Sequence, residues 1–232
     1  MSLTAFFFPV KQEASGLLRR LEKIRKEESE GIVTWRGQLQ GNDVLVVLLG
    51  MGADSVRRTL PVILRKEKID FAWVAGFGGG LDASLKKGDV ALAGNFSSPH
   101  LHLSKYVTIV RGVTVNHVVA SSAQKLALAQ GHQAQVVDME SQIAHDLFEE
   151  KEIRHATLRG ISDPWNESLP SGALSASFDP EENRPTPLKL LIHLAMNPRD
   201  FSPFFKFVIG LSQVQKNLTQ KLLELEKRRE KQ

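Results

Sequence analysis

Three carboxylates stand beside apolar runs where they could do chemistry: Glu13, Glu140 and Asp163. Glu13 closes Lys11-Gln12-Glu13, just after the apolar run Thr4–Phe8. Taken alone, that triplet reads as a solvated helix start. Glu140 lies in Val137-Asp138-Met139-Glu140-Ser141. There Asp138 suits a helix cap and Glu140 suits the positive end of a helix. The functional alternative is that Glu140 grips two sugar hydroxyls, since one carboxylate can accept two hydrogen bonds. Asp163 ends Arg159-Gly160-Ile161-Ser162-Asp163-Pro164. An Asp before Pro commonly starts a turn, and an acid at a strand end can equally face a ligand crevice.

Two glycine segments accompany the acids. Gly50-Met51-Gly52-Ala53-Asp54-Ser55 imitates a dinucleotide fingerprint. The acid that such a site needs at the end of the next strand is misplaced, because Asp70 precedes its strand. A tight turn, or an anion or sugar cradle at a helix start, fits better. Gly76-Phe77-Gly78-Gly79-Gly80-Leu81 lets the backbone approach something closely and lacks the Gly-Lys-Ser/Thr of a phosphate loop. It reads as a glycine-rich turn, with Phe77, Gly78 and Gly79 as binding candidates. His100-x-His102 is the one close histidine pair, and it has no evident third ligand, so no metal is expected.

The elements that must position these residues alternate. Strands are expected at Thr4–Phe8, Ile32–Leu39, Asp43–Leu49, Phe71–Ala75, Asp89–Ala93, across Tyr106–Val119 in two runs, Gln135–Val137 and His155–Ile161. Helices are expected at Ala14–Glu28, Ser55–Lys68, Ser121–Ala129 and Met139–Glu150. In the first, Leu17, Leu18, Leu21 and Ile24 share one face. Residues 164–186 are rich in Pro, Ser, Asn and Glu and read as a loop or lid. Residues 187–232 read as C-terminal helices. The order implies one α/β domain over residues 1–232, a three-layer αβα sandwich around a mixed central sheet, with 1–163 as its core. Ligands in such sheets sit at the carboxyl ends of strands.

Composition narrows the function. The 232 residues are 42% hydrophobic and 24% charged, which excludes disorder of the whole chain. There is no cysteine, so disulfide scaffolds, thiolate metal sites and cysteine nucleophiles are excluded. A reducing, cytoplasmic compartment is expected, with no signal peptide and no membrane-spanning helix. The net charge is +4, and its excess gathers at Lys227, Arg228, Arg229 and Lys231, interleaved with Glu224, Glu226 and Glu230. That tail reads as a solvated helix end and not as a nucleic-acid patch.

In combination the motifs resemble the purine nucleoside phosphorylase and uridine phosphorylase superfamily, on its nucleosidase side. The likeness rests on Gly76–Leu81, Leu85-Lys86-Lys87-Gly88-Asp89-Val90, Val137–Glu140 and Arg159–Asp163, in that order. They are similar to motifs of nucleosidases that split methylthioadenosine and S-adenosylhomocysteine. The Gly-Met-Gly, Asp-Met-Glu-Ser and Ser-Asp-Pro segments look closer still to a hopanoid-associated branch, thought to remove adenine from adenosylhopane.

The resemblance implies a partly barrel-like sheet and hydrolysis of a purine, chiefly adenine, N-glycosidic bond. Asp163 would protonate purine N7 and Ser162 would orient it. Glu140 would hold the ribose hydroxyls, Met139 would pack on the sugar, and Glu13 would activate water. No metal or organic cofactor is implied, and the partners are a small nucleoside and a second copy of the chain. Phosphorolysis would need phosphate as co-substrate. No Arg immediately precedes the glycine segment, and Phe77 stands where nucleosidases often have Ser, so hydrolysis is favoured; Arg57 and Arg58 are the remaining phosphate candidates. A silent nucleoside-binding protein would not need Asp163 to titrate. The apolar residues Leu190–Val208 suit helices packed on the sheet or, alternatively, a groove or surface for a greasy substituent.

Overall fold

The computed structural model describes residues 3–99, 103–179 and 184–229. The His100-x-His102 pair lies outside the described residues. Twelve strands and seven α-helices follow in order among the described residues: β1 (Thr4–Phe8), α1 (Lys11–Leu18), β2 (Glu22–Ser29), β3 (Ile32–Leu39), β4 (Asn42–Leu48), α2 (Gly52–Lys66), β5 (Phe71–Gly80), β6 (Val90–Ala93), β7 (Thr108–Val110), β8 (Gly112–Thr114), α3 (Ser122–His132), β9 (Val136–Asp138), α4 (Ser141–Glu150), β10 (Arg154–Asp163), α5 (Ser171–Ser177), β11 (Phe178–Asp179), β12 (Arg184–Pro185), α6 (Pro187–Met196) and α7 (Phe201–Arg229).

One mixed sheet runs β2-β3-β4-β1-β5-β10-β6-β7. Its centre is parallel, with β1 between β4 and β5, and β5 beside β10. Near its carboxyl end β5 also pairs antiparallel with β9, through Gly79 and Gly80, so the sheet branches there. Strand alternation sends side chains to opposite faces. Phe6, Trp73 and Leu158 join Leu17 of α1 and Leu218, Leu222 and Leu225 of α7. Phe7, Val47 and Val74 join Val56, Leu60 and Ile63 of α2 and Phe148 of α4. These two cores make the fold a mixed α/β sandwich with helices on both sides and a long C-terminal helix.

The expected helix over Ala14–Glu28 stops at Leu18, and residues 22–29 form β2. Leu17 is buried, but Ile24 is 45% exposed, so the helical spacing did not report a buried face. Antiparallel pairing with β3 prevails over local pattern. The strand is wholly exposed, and its Lys, Arg and Glu side chains guard a sheet edge. The glycine segment is corrected as well: residues 76–80 continue β5 instead of turning.

The C-terminal helix divides in two. From Leu211 onward it is core: Val214, Leu218, Leu222 and Leu225 are at most 1% exposed apart from Leu211 itself at 9%. Each such burial contributes about 1.5–3 kcal/mol. Val214 lies against Gly160, where any side chain on β10 would collide with the helix. The basic end is no free solvated tip. Arg229 stacks on Phe71 and donates to Thr4 and Glu226, and Glu226 accepts from Trp73 Nε1 at 2.7 Å. Arg228 lies over Tyr106. Among the described residues no helix is long and apolar enough to cross a membrane.

Candidate active site

A cavity of about 920 Å3 opens at the carboxyl ends of β1, β5, β9 and β10. All nine expected site residues line it: Glu13, Phe77, Gly78, Gly79, Asp138, Met139, Glu140, Ser162 and Asp163. Segments separated by up to 150 positions in the chain thus converge where parallel-sheet topology directs a ligand.

Glu13 is the third residue of α1, and it is buried. Its Oε2 accepts from Val10 N–H at 3.2 Å, and its Oε1 accepts from Phe77 N–H at 2.7 Å across to β5. Burial nevertheless lifts its pKa to about 7, with Glu140 adding to the rise. A base titrating there is matched to proton abstraction near neutral pH.

Glu140 caps the start of α4, and its Oε1 accepts from Gly52 N–H, the first residue of α2, at 2.8 Å. Gly50 and Gly52 have φ of +82° and +80°, so the first glycine segment is the tight turn it suggested. The anion cradled by that helix start is Glu140's own carboxylate. Burial raises Glu140 to about 7, Arg159 opposes the rise and Asp138 adds to it. Asp138 takes the capping role: its Oδ1 accepts from the N–H groups of Glu140 and Ser141 at 3.3 and 3.1 Å, and from Thr114 Oγ1 at 2.7 Å. Its carboxylate is thus engaged by neighbouring donors while it also lines the cavity. Burial raises its pKa, but Arg159 with the Ser141 and Thr114 hydrogen bonds prevails, and the net shift is downward.

Arg159 binds these acids together. It is fully buried on β10, donates from Nε to Asp138 Oδ2 at 2.7 Å and from Nη2 to Ser141 Oγ at 2.8 Å, and stands 3.9 Å from Glu140 Oε2. Its Nη1 is buried without a hydrogen-bond partner. A Cβ built on Gly76 would lie 2.5 Å from that Nη1 and 3.2 Å from Glu13 Oε1. Glycine is needed there to leave room for the guanidinium between Glu13 and Glu140. The same logic holds at Gly79, where a Cβ would lie 3.0 Å from Val137 and 3.3 Å from Asp163 Oδ2.

Asp163 ends β10 across an irregularity in its pairing with β5. Ser162 Oγ donates to its Oδ1 and also lies 3.2 Å from Gly78 O. Lys125 Nζ stands 2.6 Å from Asp163 Oδ2 and donates to the carbonyls of Pro164 and Glu167 at 2.7 Å each. Burial raises Asp163, and Lys125 and Ser162 pull against it, leaving a net rise. The carboxyl is therefore biased toward its proton, while a cation waits to stabilise the carboxylate once the proton has left.

Sequence reasoning missed Lys125 and gave no role to Arg159. Lys125 lies in the helix Ser122–His132, where a lysine ordinarily faces water. Here it is 0% exposed while its neighbour Leu126 is 51% exposed. Arg159 did carry a signal: a charged residue inside an apolar central strand must be paired. The phosphate candidates fall away from the cavity. Arg57 is 58% exposed and pairs with Asp54, and Arg58 reaches Ser55 Oγ at 3.3 Å.

The remaining wall is mainly apolar, with Lys26, His117, Ser175 and Ser177 among its polar members. Trp35, Val33 and Leu48 line it from β3 and β4, Leu174 from α5, and Phe204, Phe207, Val208 and Leu211 from the first half of α7. Residues 164–186, read as a loop, contain α5 and the short β11–β12 pair.

The family model described as "Phosphorylase superfamily" matches residues 5–105. A 5'-methylthioadenosine/S-adenosylhomocysteine nucleosidase of Colwellia psychrerythraea is 31% identical over 81 residues. That match spans 35% of this chain and 33% of the relative. Among solved structures, futalosine hydrolase of Helicobacter pylori superposes with a TM-score of 0.73 at 13% identity, covering 98% of each chain. The methylthioadenosine/S-adenosylhomocysteine nucleosidase of Neisseria meningitidis, solved with methylthio-immucillin-A, gives 0.71 at 17% identity, covering 98% of this chain and 99% of that one. The chain thus matches the phosphorylase superfamily in sequence over residues 5–105 and shares the fold of these two solved structures over nearly its whole length.

Proposed function

We propose that the protein is an N-ribosyl hydrolase that releases a purine base, adenine, from a nucleoside carrying an apolar 5' substituent. The observation that carries the reading is the enclosure of Glu13, Glu140 and Asp163 in one cavity, with the unpartnered Nη1 of Arg159 beside Glu13. Asp163 gives its proton to purine N7 as the bond from C1' to N9 breaks and its electron pair moves into the base. Glu140 accepts the ribose hydroxyls and faces the developing positive charge of the sugar. Water held by Glu13 and Arg159 attacks C1', and its proton passes to Glu13. Ser162 orients Asp163, Met139 lies against the sugar, and Lys125 stabilises the Asp163 carboxylate after transfer. None of these steps needs a metal or organic cofactor.

Hydrolysis is favoured over phosphorolysis because Arg57 and Arg58 do not line the cavity. Adenine is the base named in the methylthioadenosine relative. The 5' assignment rests on size and polarity. The cavity lies near the top of the range of about 300–1,000 Å3 for small-molecule sites, and its outer wall is mainly apolar. A lipid-linked adenosine such as adenosylhopane suits it, with peripheral lipid contact through α6 and α7. Cytoplasmic residence and a homodimer complete the reading.

The test is base release from adenosine, inosine, methylthioadenosine, S-adenosylhomocysteine and an adenosyl-lipid analogue. Highest kcat/KM on the adenosyl-lipid supports the 5' assignment. Equal or better turnover of the small thioethers removes it. Light scattering of the pure protein decides between one copy and two.

A further inference from the structure

The other end of β10 carries a second cluster, remote from the cavity. His155 is the second residue of that strand and is fully buried, and His145 and Glu149 lie one turn apart on α4. His145 Nδ1 stands 2.8 Å from His155 Nε2. Glu149 Oε1 lies 3.8 Å from His155 Nδ1. One ligand atom from each of the three residues falls within 4.8 Å of the others.

We propose that His145, Glu149 and His155 bind a divalent transition-metal ion of the zinc and nickel class. Two imidazole nitrogens and a carboxylate match the preferences of those ions. Two nitrogens each about 2.1 Å from a tetrahedral ion stand about 3.4 Å apart, so the two rings, now 2.8 Å apart, would open by roughly half an ångström to admit it. The buried ring is already oriented. His155 Nδ1 lies 2.9 Å from the carbonyl of Ile153, so donation of its proton there leaves the Nε2 lone pair directed at His145. Phe148 and Phe96 flank the two rings, with centroids 5.2 Å from His155 and 6.1 Å from His145. Glu149 is 53% exposed, which gives the ion a path from solvent and leaves room for water ligands.

The ion would not take part in base release. Asp163 lies eight positions along the strand from His155, about 26 Å at the usual rise. It would join the end of α4 to the start of β10, the two elements whose opposite ends hold Glu140 and Asp163. This site departs from the expectation that the chain binds no metal, which rested on His100-x-His102 and on the family resemblance.

The experiment is calorimetric titration of the chelator-treated full chain with zinc, repeated with cobalt to read the visible ligand-field bands. The expected result is one equivalent of zinc bound, with an affinity at least tenfold weaker in His145→Ala and in Glu149→Gln. Both variants alter partly exposed side chains, and circular dichroism checks that they fold. The cobalt bands should be lost in His145→Ala. Absence of stoichiometric zinc uptake by the wild-type chain, or equal uptake by His145→Ala, overturns the site. Unchanged affinity in Glu149→Gln removes the carboxylate from it.

Discussion

The two halves of the cavity are built on different principles. The floor is polar and interlocked: Arg159 spans Asp138 and Ser141, Glu140 takes the first N–H of α2, Glu13 takes that of Phe77, and Lys125 holds Asp163. Each group is buried and held by at least one partner from another element. The outer wall is made chiefly of Trp35, Phe204, Phe207, Val208 and Leu211, which offer a ligand shape and apolar surface. Exchanging a floor residue leaves a buried donor, acceptor or charge unpaired, at about 1–3 kcal/mol or more. Exchanging one of these wall residues removes apolar packing and volume but leaves no buried polar group unpaired. On the proposed reading, the floor would set the reaction and the wall would set which substituent the nucleoside carries.

The largest effect should come from Asp163→Asn. An amide cannot supply the proton, so kcat should fall about 10^3-fold, within the usual range of about 10^2–10^4 for an acid or base. Substrate-induced thermal stabilisation should persist. Retained turnover would place the acid elsewhere on the floor.

Stability should follow pH with a sign set by the floor. Glu13 and Glu140 titrate at about 7 in the fold against an ordinary 4.5. Between those values the folded state binds the extra protons, so this contribution is fully present below 4.5 and is lost as pH rises through 7. Each group accounts for at most about 3 kcal/mol. Asp138 acts oppositely, losing its contribution as pH falls through its lowered pKa. The unfolding midpoint should therefore drop between pH 5 and pH 8, and Glu13→Gln should flatten that slope. An unchanged slope in Glu13→Gln would show that its burial does not set its titration.

A smaller change is expected at Lys125→Met. Loss of the cation raises Asp163 further, so the alkaline limb of kcat/KM should move to higher pH, with a fall of about tenfold at the optimum. A limb that stays in place would make Lys125 a tether for Pro164 and Glu167 and nothing more. The smallest effect should lie on the wall. Phe207→Ala should raise KM about tenfold for a substrate with an apolar 5' group and leave adenosine almost unchanged. Equal losses on both would erase the distinction between wall and floor.

This division also explains what the sequence disclosed. Glu13, Glu140 and Asp163 were legible because they follow apolar runs at strand ends, where the α/β topology brings them to one cavity. Lys125 was hidden because its partners, Asp163 and two carbonyls of residues 164–167, come from a distant segment. The glycines of β5 looked like a turn because glycine tolerates both turns and close contact, and only Arg159 behind Gly76 shows which applies. Ile24 fitted a helix by spacing, but β3 offered an unpaired edge and residues 22–29 took it as strand. The carboxyl-terminal arginines read as solvated because stacking on Phe71 and Tyr106 depends on residues far away in the chain.

The most direct test of the catalytic floor is single-turnover cleavage of an adenine nucleoside in phosphate-free buffer, followed by chromatography of both products. The account predicts free adenine and free sugar at a rate that added phosphate leaves unchanged. Release that requires phosphate and yields the sugar 1-phosphate would contradict it.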